Sequence, residues 1–206
     1  MIRRLFIIAS AAAIGLLTPM VTPAQAVDVA GVRFEPSVQV GGTQLQLNGA
    51  GVRYKAIFKV YAAGLYLSGK ATTPQAALAA PGPKLLQIVM LRDIDGNELG
   101  KLFTKGMEQN VAREEFSKSI SGIMRMSDVF STRKKLAAGE SFAVEWVPGS
   151  GTVILVNGKP ASEPIREPEF YASLMKIWLG NSPADAALKD ALLGKAAKVP
   201  GSPANH

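Results

Sequence analysis

The sequence predicts an α+β domain built on a large, mostly antiparallel sheet. Two observations carry this reading. β-rich segments come first, helical periodicity of three and four residues fills the middle, and a hairpin with two amphipathic helices closes the chain. Turn signals set strand runs side by side, at Gly41 and Gly42 between the first strands and at Pro148 to Gly151 within the late hairpin.

The chain begins with a segment of another kind. Arg3 and Arg4 precede an apolar run from Leu5 to Leu17, followed by Pro19, Pro23 and a small-residue site at Ala24–Ala26. A basic start, a short apolar stretch and an A-x-A site predict a secretory signal peptide over 1–26, cleaved after Ala26. The run is too short to span a bilayer comfortably, so no stable membrane span is expected. Export by the general route to a bacterial periplasm follows. The mature chain would begin at Val27, and its net charge falls from +7 to +5 because Arg3 and Arg4 leave with no acid. About 180 residues remain, enough for one compact domain over 27–194 with a proper core, trailed by a disordered tail over 195–206.

Within that domain, "GVRFEPSVQV" and "TQLQL" read as short strands broken at Gly41 and Gly42. "GVRYKAIFKVYAAGLYL" alternates through its first half, with Val52, Tyr54, Ala56, Phe58, Val60 and Ala62 on one face. Arg53, Lys55, Ile57, Lys59 and Tyr61 fall on the other. "TTPQAALAA" is one short helix stopped by Pro81, Gly82 and Pro83. "KLLQIVMLR" is nearly all apolar, as a central strand would be. Asp95 with Glu98 three positions on is a capping signal for the long helical region. Its apolar face runs through Leu99, Leu102, Phe103 and Met107, then Val111, Phe116, Ile120, Ile123, Met124 and Met126. "SFAVEWVPGSGTVILVNGKPA" is a hairpin followed by a tight Asn157-Gly158 turn. Amphipathic helices ending at Gly180 and Gly194 complete the domain.

Much chemistry is excluded by composition. The chain has no cysteine, which removes disulfides, thiol nucleophiles and thiolate metal sites. The single histidine, His206, lies in the expected tail, so a histidine base or metal site is not foreseen. Gly149-Ser150-Gly151 is a turn between strands and not a nucleophile elbow, since no helix follows it. In "DIDGN" a calcium-loop register would put Leu91 and Leu102 at ligand positions, so a helix cap is the better account. Gly49 and Gly51 lack the third glycine of a dinucleotide fingerprint. The basic residues are scattered, and an exported protein is not expected to meet nucleic acid. "RKK", Arg133 to Lys135, follows a helix, where cations complement the dipole.

The remaining segment is the one rich in Arg53, Lys55, Lys59 and Tyr61. "NGAGVR", Asn48 to Arg53, with "FKVYAAGLYL", Phe58 to Leu67, resembles the signature of the chalcone isomerase superfamily. "GMEQN", "GESFAVEWVPGSGTVILVNGK" and "EFYASLMKIWLGNSPADAALKDALLG" resemble its later blocks, in the family's order. The likeness is to the exported bacterial branch, described as chalcone isomerase-like. It implies an open-faced β-sandwich: a large antiparallel sheet under a helical layer, with a ligand cleft between them. It further implies that Arg53 matches the arginine that stabilises a phenolate in the plant enzymes. Tyr61 stands where they carry a threonine, and their helical asparagine aligns near Gln109 or Asn110. Their helical tyrosine would fall near Leu102 or Phe103, neither of which donates a hydrogen bond. Non-catalytic relatives hold a fatty-acid carboxylate with the arginine and a tyrosine.

The expected ligand-binding set is therefore Arg53, Tyr61, Gln109 and Asn110, with Leu102, Phe103 and Met107 as apolar lining. No cofactor or metal is implied, and a monomer binding a small amphiphilic or aromatic ligand is expected. The first reading is a periplasmic protein holding a fatty acid or similar carboxylate, without catalysis. The second is an intramolecular lyase acting on a chalcone-like enone, with Arg53 and Tyr61 stabilising developing negative charge. The third is a structural or interaction protein with a filled cleft. Lys55 and Lys59 are expected on a solvated face. One geometric condition attaches to all of this. On a single straight strand Arg53 and Tyr61 would stand roughly 26 Å apart, so they share a ligand only if the chain folds back between Lys55 and Phe58.

Overall fold

A computed structural model of the protein describes residues 25–195. The expected leader, 1–26, and tail, 195–206, lie outside that span except for Gln25, Ala26 and Lys195. The chain opens with a ribbon, β1 (Val27–Val29) and β2 (Val32–Phe34), turning through Ala30 and Gly31 at positive φ. The main sheet then takes β3 (Ser37–Val40), β4 (Thr43–Lys55), β5 (Phe58–Leu67) and, after helix α1 (Pro74–Ala79), β6 (Lys84–Met90). A two-residue pairing of β7 (Ile94–Asp95) with β8 (Lys135–Leu136) brackets helices α2 (Gly96–Glu108), α3 (Arg113–Lys118) and α4 (Ile120–Ser131). Strands β9 (Ser141–Val147), β10 (Gly151–Val156) and β11 (Lys159–Pro160) precede α5 (Pro168–Leu179) and α6 (Ala186–Leu192).

The seven-stranded sheet has the order β11-β10-β9-β6-β5-β4-β3, antiparallel throughout. The apolar run of β6 is its central strand, as its composition requires. Asp95 caps α2 by accepting from the Glu98 N–H at 2.9 Å. The Asn157-Gly158 turn takes positive φ at both residues, 50° and 74°. The buried side chains fall into two clusters. One joins the sheet to α1, α2, α4, α5 and α6; the other, around Phe34, Leu45, Tyr66 and Leu85, contains strand residues only. The helices therefore cover one face. At the centre of that layer Phe103 meets Phe130, Phe142 and Trp178 with centroids 5.3, 5.5 and 5.9 Å away. Aromatic pairs of this kind contribute about 0.5–1.5 kcal/mol each beyond their buried area.

Three expectations need correction. Gly51 to Leu67 is not one alternating strand but a hairpin, β4–β5, closed by a two-residue turn at Ala56 and Ile57, with Ala56 at φ 55°. Pairing then shifts between Arg53/Tyr61 and Tyr54/Lys59, leaving Val60 as the extra residue of a bulge. Val60 consequently joins the helix-side cluster beside Tyr61, while Ala62 joins the opposite one. Last, Ile120 and Met124, counted on the apolar helix face, are 46% and 63% exposed, because α3 and α4 are separate helices with their own faces.

The "NGAGVR" run has a structural part that sequence periodicity does not show. Asn48 is the extra residue of a second bulge, between Leu47 and Gly49. Its buried amide donates to the Leu192 carbonyl at 2.7 Å and the Ala71 carbonyl at 2.9 Å, and its oxygen accepts from the Ala71 N–H at 2.7 Å. A Cβ on Gly49 would stand 2.0 Å from the Ala191 carbonyl oxygen, and one on Gly51 would stand 2.6 Å from the Ala191 Cβ. The two glycines let α6 lie directly on the β4 backbone, and Asn48 fastens it there.

Candidate functional site

The fold-back of β4 onto β5 satisfies the geometric condition: Arg53 and Tyr61 are direct cross-strand partners. Side chains in that relation share a face of the sheet, here the one under the helices. The Arg53 guanidinium carbon stands 5.6 Å from the centre of the Tyr61 ring, within cation–π range. Both border a cavity of about 270 Å³ between the sheet edge, α2 and the α5–α6 connection. From α2 come Leu99, Leu102, Phe103, Lys105, Gly106 and Gln109; Ile177, Ser182, Pro183 and Ala184 close the other side. Gly106 allows the approach of α5, since a Cβ there would meet the Ile177 side chain at 3.1 Å.

Two polar groups of this site are held in unusual states. Arg53 Nε is buried and has no hydrogen-bond partner among the described residues. No carboxylate lies within ion-pair distance of Arg53 among the described residues. The nearby Asp185 lies beyond ion-pair distance of Arg53, its two oxygens accepting from the Tyr54 and Leu188 N–H groups at 2.9 and 3.0 Å as the cap of α6. The cavity lining contains two cations, Arg53 and Lys105, and no acid. A half-buried guanidinium without a counter-charge favours an anion at its fork.

Tyr61 is the second group. It is 3% exposed, and its hydroxyl oxygen accepts from Trp178 Nε1 at 2.8 Å. With one lone pair engaged by Trp178, the hydroxyl proton is free to be donated into the cavity. Burial pushes the Tyr61 pKa up to about 12, against the smaller opposing pulls of Arg53 and the Trp178 hydrogen bond. Tyr61 is therefore a neutral O–H donor at physiological pH and not a phenolate base. A stability consequence follows. The folded pKa lies above the usual value of 10, so the unfolded state releases its proton first as pH rises. The stabilisation is complete below pH 10 and is lost between 10 and 12, on the order of 2–3 kcal/mol for Tyr61 alone. Tyr66, also raised to about 12 by burial, and Tyr171, raised by burial, add in the same direction. Denaturant melts across that pH interval should show the decline, and Tyr61→Phe should make it less steep while the share of Tyr66 and Tyr171 remains; an unchanged profile would contradict the assignment.

The other expected site residues divide. Gln109, Leu102 and Phe103 line the cavity. Met107 is fully buried core and does not. Asn110 does not line it either: its amide donates to Gly106 and Ser182 carbonyls at 2.9 and 2.8 Å, and its oxygen accepts from the Ser182 N–H at 2.8 Å. It ties the end of α2 to the α5–α6 connection and so sets one wall. Sequence reading missed Trp178, Lys105 and the 182–184 wall. Trp178 sits on an amphipathic helix, and nothing local marks a contact made 117 residues away. Lys105 looks like any exposed helical lysine.

Residues 26–194 match the model of a family described as chalcone isomerase-like. Among solved structures, a fatty-acid binding protein of Arabidopsis thaliana superposes with a TM-score of 0.65, covering 79% of this chain and 92% of its own, at 14% identity. At that identity the likeness is one of fold. No curated protein matches the chain.

Proposed function

This chain belongs to the chalcone isomerase-like family, and from that premise we propose that it binds a fatty acid or similar amphiphilic carboxylate in the cavity beside Arg53, after export to the periplasm and without a covalent step. The observation that carries the reading is the buried Arg53 Nε, without a partner among the described residues, at a cleft whose lining holds no acid, with the Tyr61 O–H beside it. A planar guanidinium and a phenol O–H together match the two oxygens of a carboxylate. Leu99, Leu102, Phe103 and Ile177 offer the tail an apolar wall. The fold shared with a plant fatty-acid binding protein supports the same ligand class. The cavity lies just below the range of about 300–1,000 Å³ usual for drug-sized ligands, so a medium-chain acid fits best. Against catalysis as the main role, the lining holds no carboxylate or histidine to move a proton, and Tyr61 is kept neutral.

The test is a calorimetric titration with decanoate, run beside chalcone turnover on the same preparations. Wild type should bind decanoate. Tyr61→Phe should bind roughly tenfold more weakly, because it removes one hydrogen bond to the charged carboxylate while Arg53 keeps its ion pair. Lys55→Ala and Lys59→Ala should bind as wild type does, because both side chains are exposed and outside the cavity lining. Chalcone turnover that disappears with Arg53 would move the assignment to an intramolecular lyase.

A further inference from the structure

The β4–β5 hairpin does more than pair Arg53 with Tyr61; its tip stands out from the domain. Of the six large apolar side chains exposed among the described residues, three lie in the five positions around its turn: Tyr54 at 44%, Ile57 at 84% and Phe58 at 57%. Scattered single apolar residues are ordinary on a protein surface, but a cluster at a protruding turn is not. The cluster is ringed by cations. Lys55 and Lys59 flank the turn, and the Arg92 guanidinium lies 5.4 Å from the Phe58 ring centre. Among the described residues Lys59 and Arg92 have no carboxylate within ion-pair distance, and Lys55 approaches only Glu98, at 4.0 Å with both side chains exposed.

We infer that this tip docks on an anionic phospholipid surface, with Ile57 and Phe58 entering the headgroup–acyl boundary and Lys55, Lys59 and Arg92 meeting the phosphates. Two features favour lipid over a protein partner. Apolar side chains at the apex with cations set back around them match the layering of an anionic membrane interface, where apolar insertion and basic attraction act together. The tip also adjoins the cleft: a smaller cavity of about 90 Å³ is lined by Lys55, Val60, Arg92, Asp93, Ile94 and Glu98 and shares Arg53 and Leu102 with the larger one; of its two acids, Asp93 is paired with Lys135 and Glu98 faces Lys55. Docking would therefore place the carboxylate end of the cleft next to the phase from which an amphiphile comes. No helix among the described residues is long and apolar enough to cross a membrane.

The chain has no cysteine, which gives a site-specific test on the full protein. Ile57→Cys carries a polarity-sensitive fluorophore, with Ser150→Cys as control in the β9–β10 turn, at the opposite end of the sheet. Both are mixed with vesicles of phosphatidylcholine alone or of equal parts phosphatidylglycerol and phosphatidylcholine. The probe at position 57 should shift to the blue with the anionic vesicles, much less with the neutral ones, and the probe at 150 should not move. Adding Lys55→Gln and Lys59→Gln should weaken the partition by roughly tenfold or more. No shift at 57, equal shifts with both compositions, or a shift that depends on protein concentration without vesicles would overturn the inference. The last result would mark a contact between copies. Decanoate binding in solution is read separately, so failure of the cleft and failure of the tip are told apart.

Discussion

Arg53→Gln should lower the affinity for decanoate by roughly ten- to hundredfold while leaving the protein at least as stable as wild type. The two halves of this expectation have one cause. A charge-assisted contact to a carboxylate contributes about 1.5–3 kcal/mol, which sets the loss of binding. Among the described residues the same guanidinium finds no partner for its buried nitrogen and no carboxylate within ion-pair distance. Removing a half-buried unpaired charge relieves a desolvation cost and gives up only the contact with the Tyr61 ring. Such a group is held for function at the expense of stability. If Arg53 were merely packing, the variant would melt earlier and bind as before. Thermal melts and calorimetry on the same samples separate the two.

Gly49→Ala should have the largest effect on the fold, about 3 kcal/mol of destabilisation, or a fall in Tm of roughly 10 °C for a domain of this size. The added methyl would meet the Ala191 carbonyl oxygen at 2.0 Å, with the Leu192 oxygen and Gly194 nitrogen at 2.9 Å. All three are backbone atoms, so no side-chain rotation relieves the clash and α6 must lift from β4. The Asn48 hydrogen bond to Leu192 is then strained as well. Because Ala184 leads into α6 and lines the cavity, decanoate binding should fall along with stability. Gly69→Ala is the control: a Cβ there meets nothing within 4 Å and its backbone lies outside the left-handed region. Equal melting of the two variants would mean that α6 is not seated on Gly49.

The parts of this architecture that were legible in the sequence are those with local causes. The apolar run of β6 reads as a central strand because both faces are covered; Asp95 and the Asn157-Gly158 turn announce themselves by their chemistry. The β4–β5 turn did not. It uses Ala56 and Ile57, with no glycine, proline or asparagine to mark it, and Arg53, Lys55, Lys59 and Tyr61 keep one parity across it. The Val60 bulge then exchanges the faces, which periodicity of two has no means to foresee. Arg53 and Tyr61 were reached through family likeness, whereas their environment is non-local. Trp178 Nε1, the capped Asp185 and the absence of an acid in the lining are set by packing between distant segments. Asn110 shows the opposite limit. Gln109 and Asn110 are neighbours of similar chemistry at one helix end, and only the position of Ser182 decides that Asn110 is a tether while Gln109 faces the cavity.

The central claim, a carboxylate held as an anion by Arg53, is tested most directly by carbon NMR of carboxyl-labelled decanoate bound to the protein and titrated with acid. An apolar pocket alone would raise the pKa of the bound carboxyl by desolvation; a facing guanidinium lowers it. Bound decanoate should stay ionised to a lower pH than the free acid in wild type, and should lose that protection in Arg53→Gln. A bound carboxyl that protonates at or above the pH of the free acid in both proteins would contradict the account.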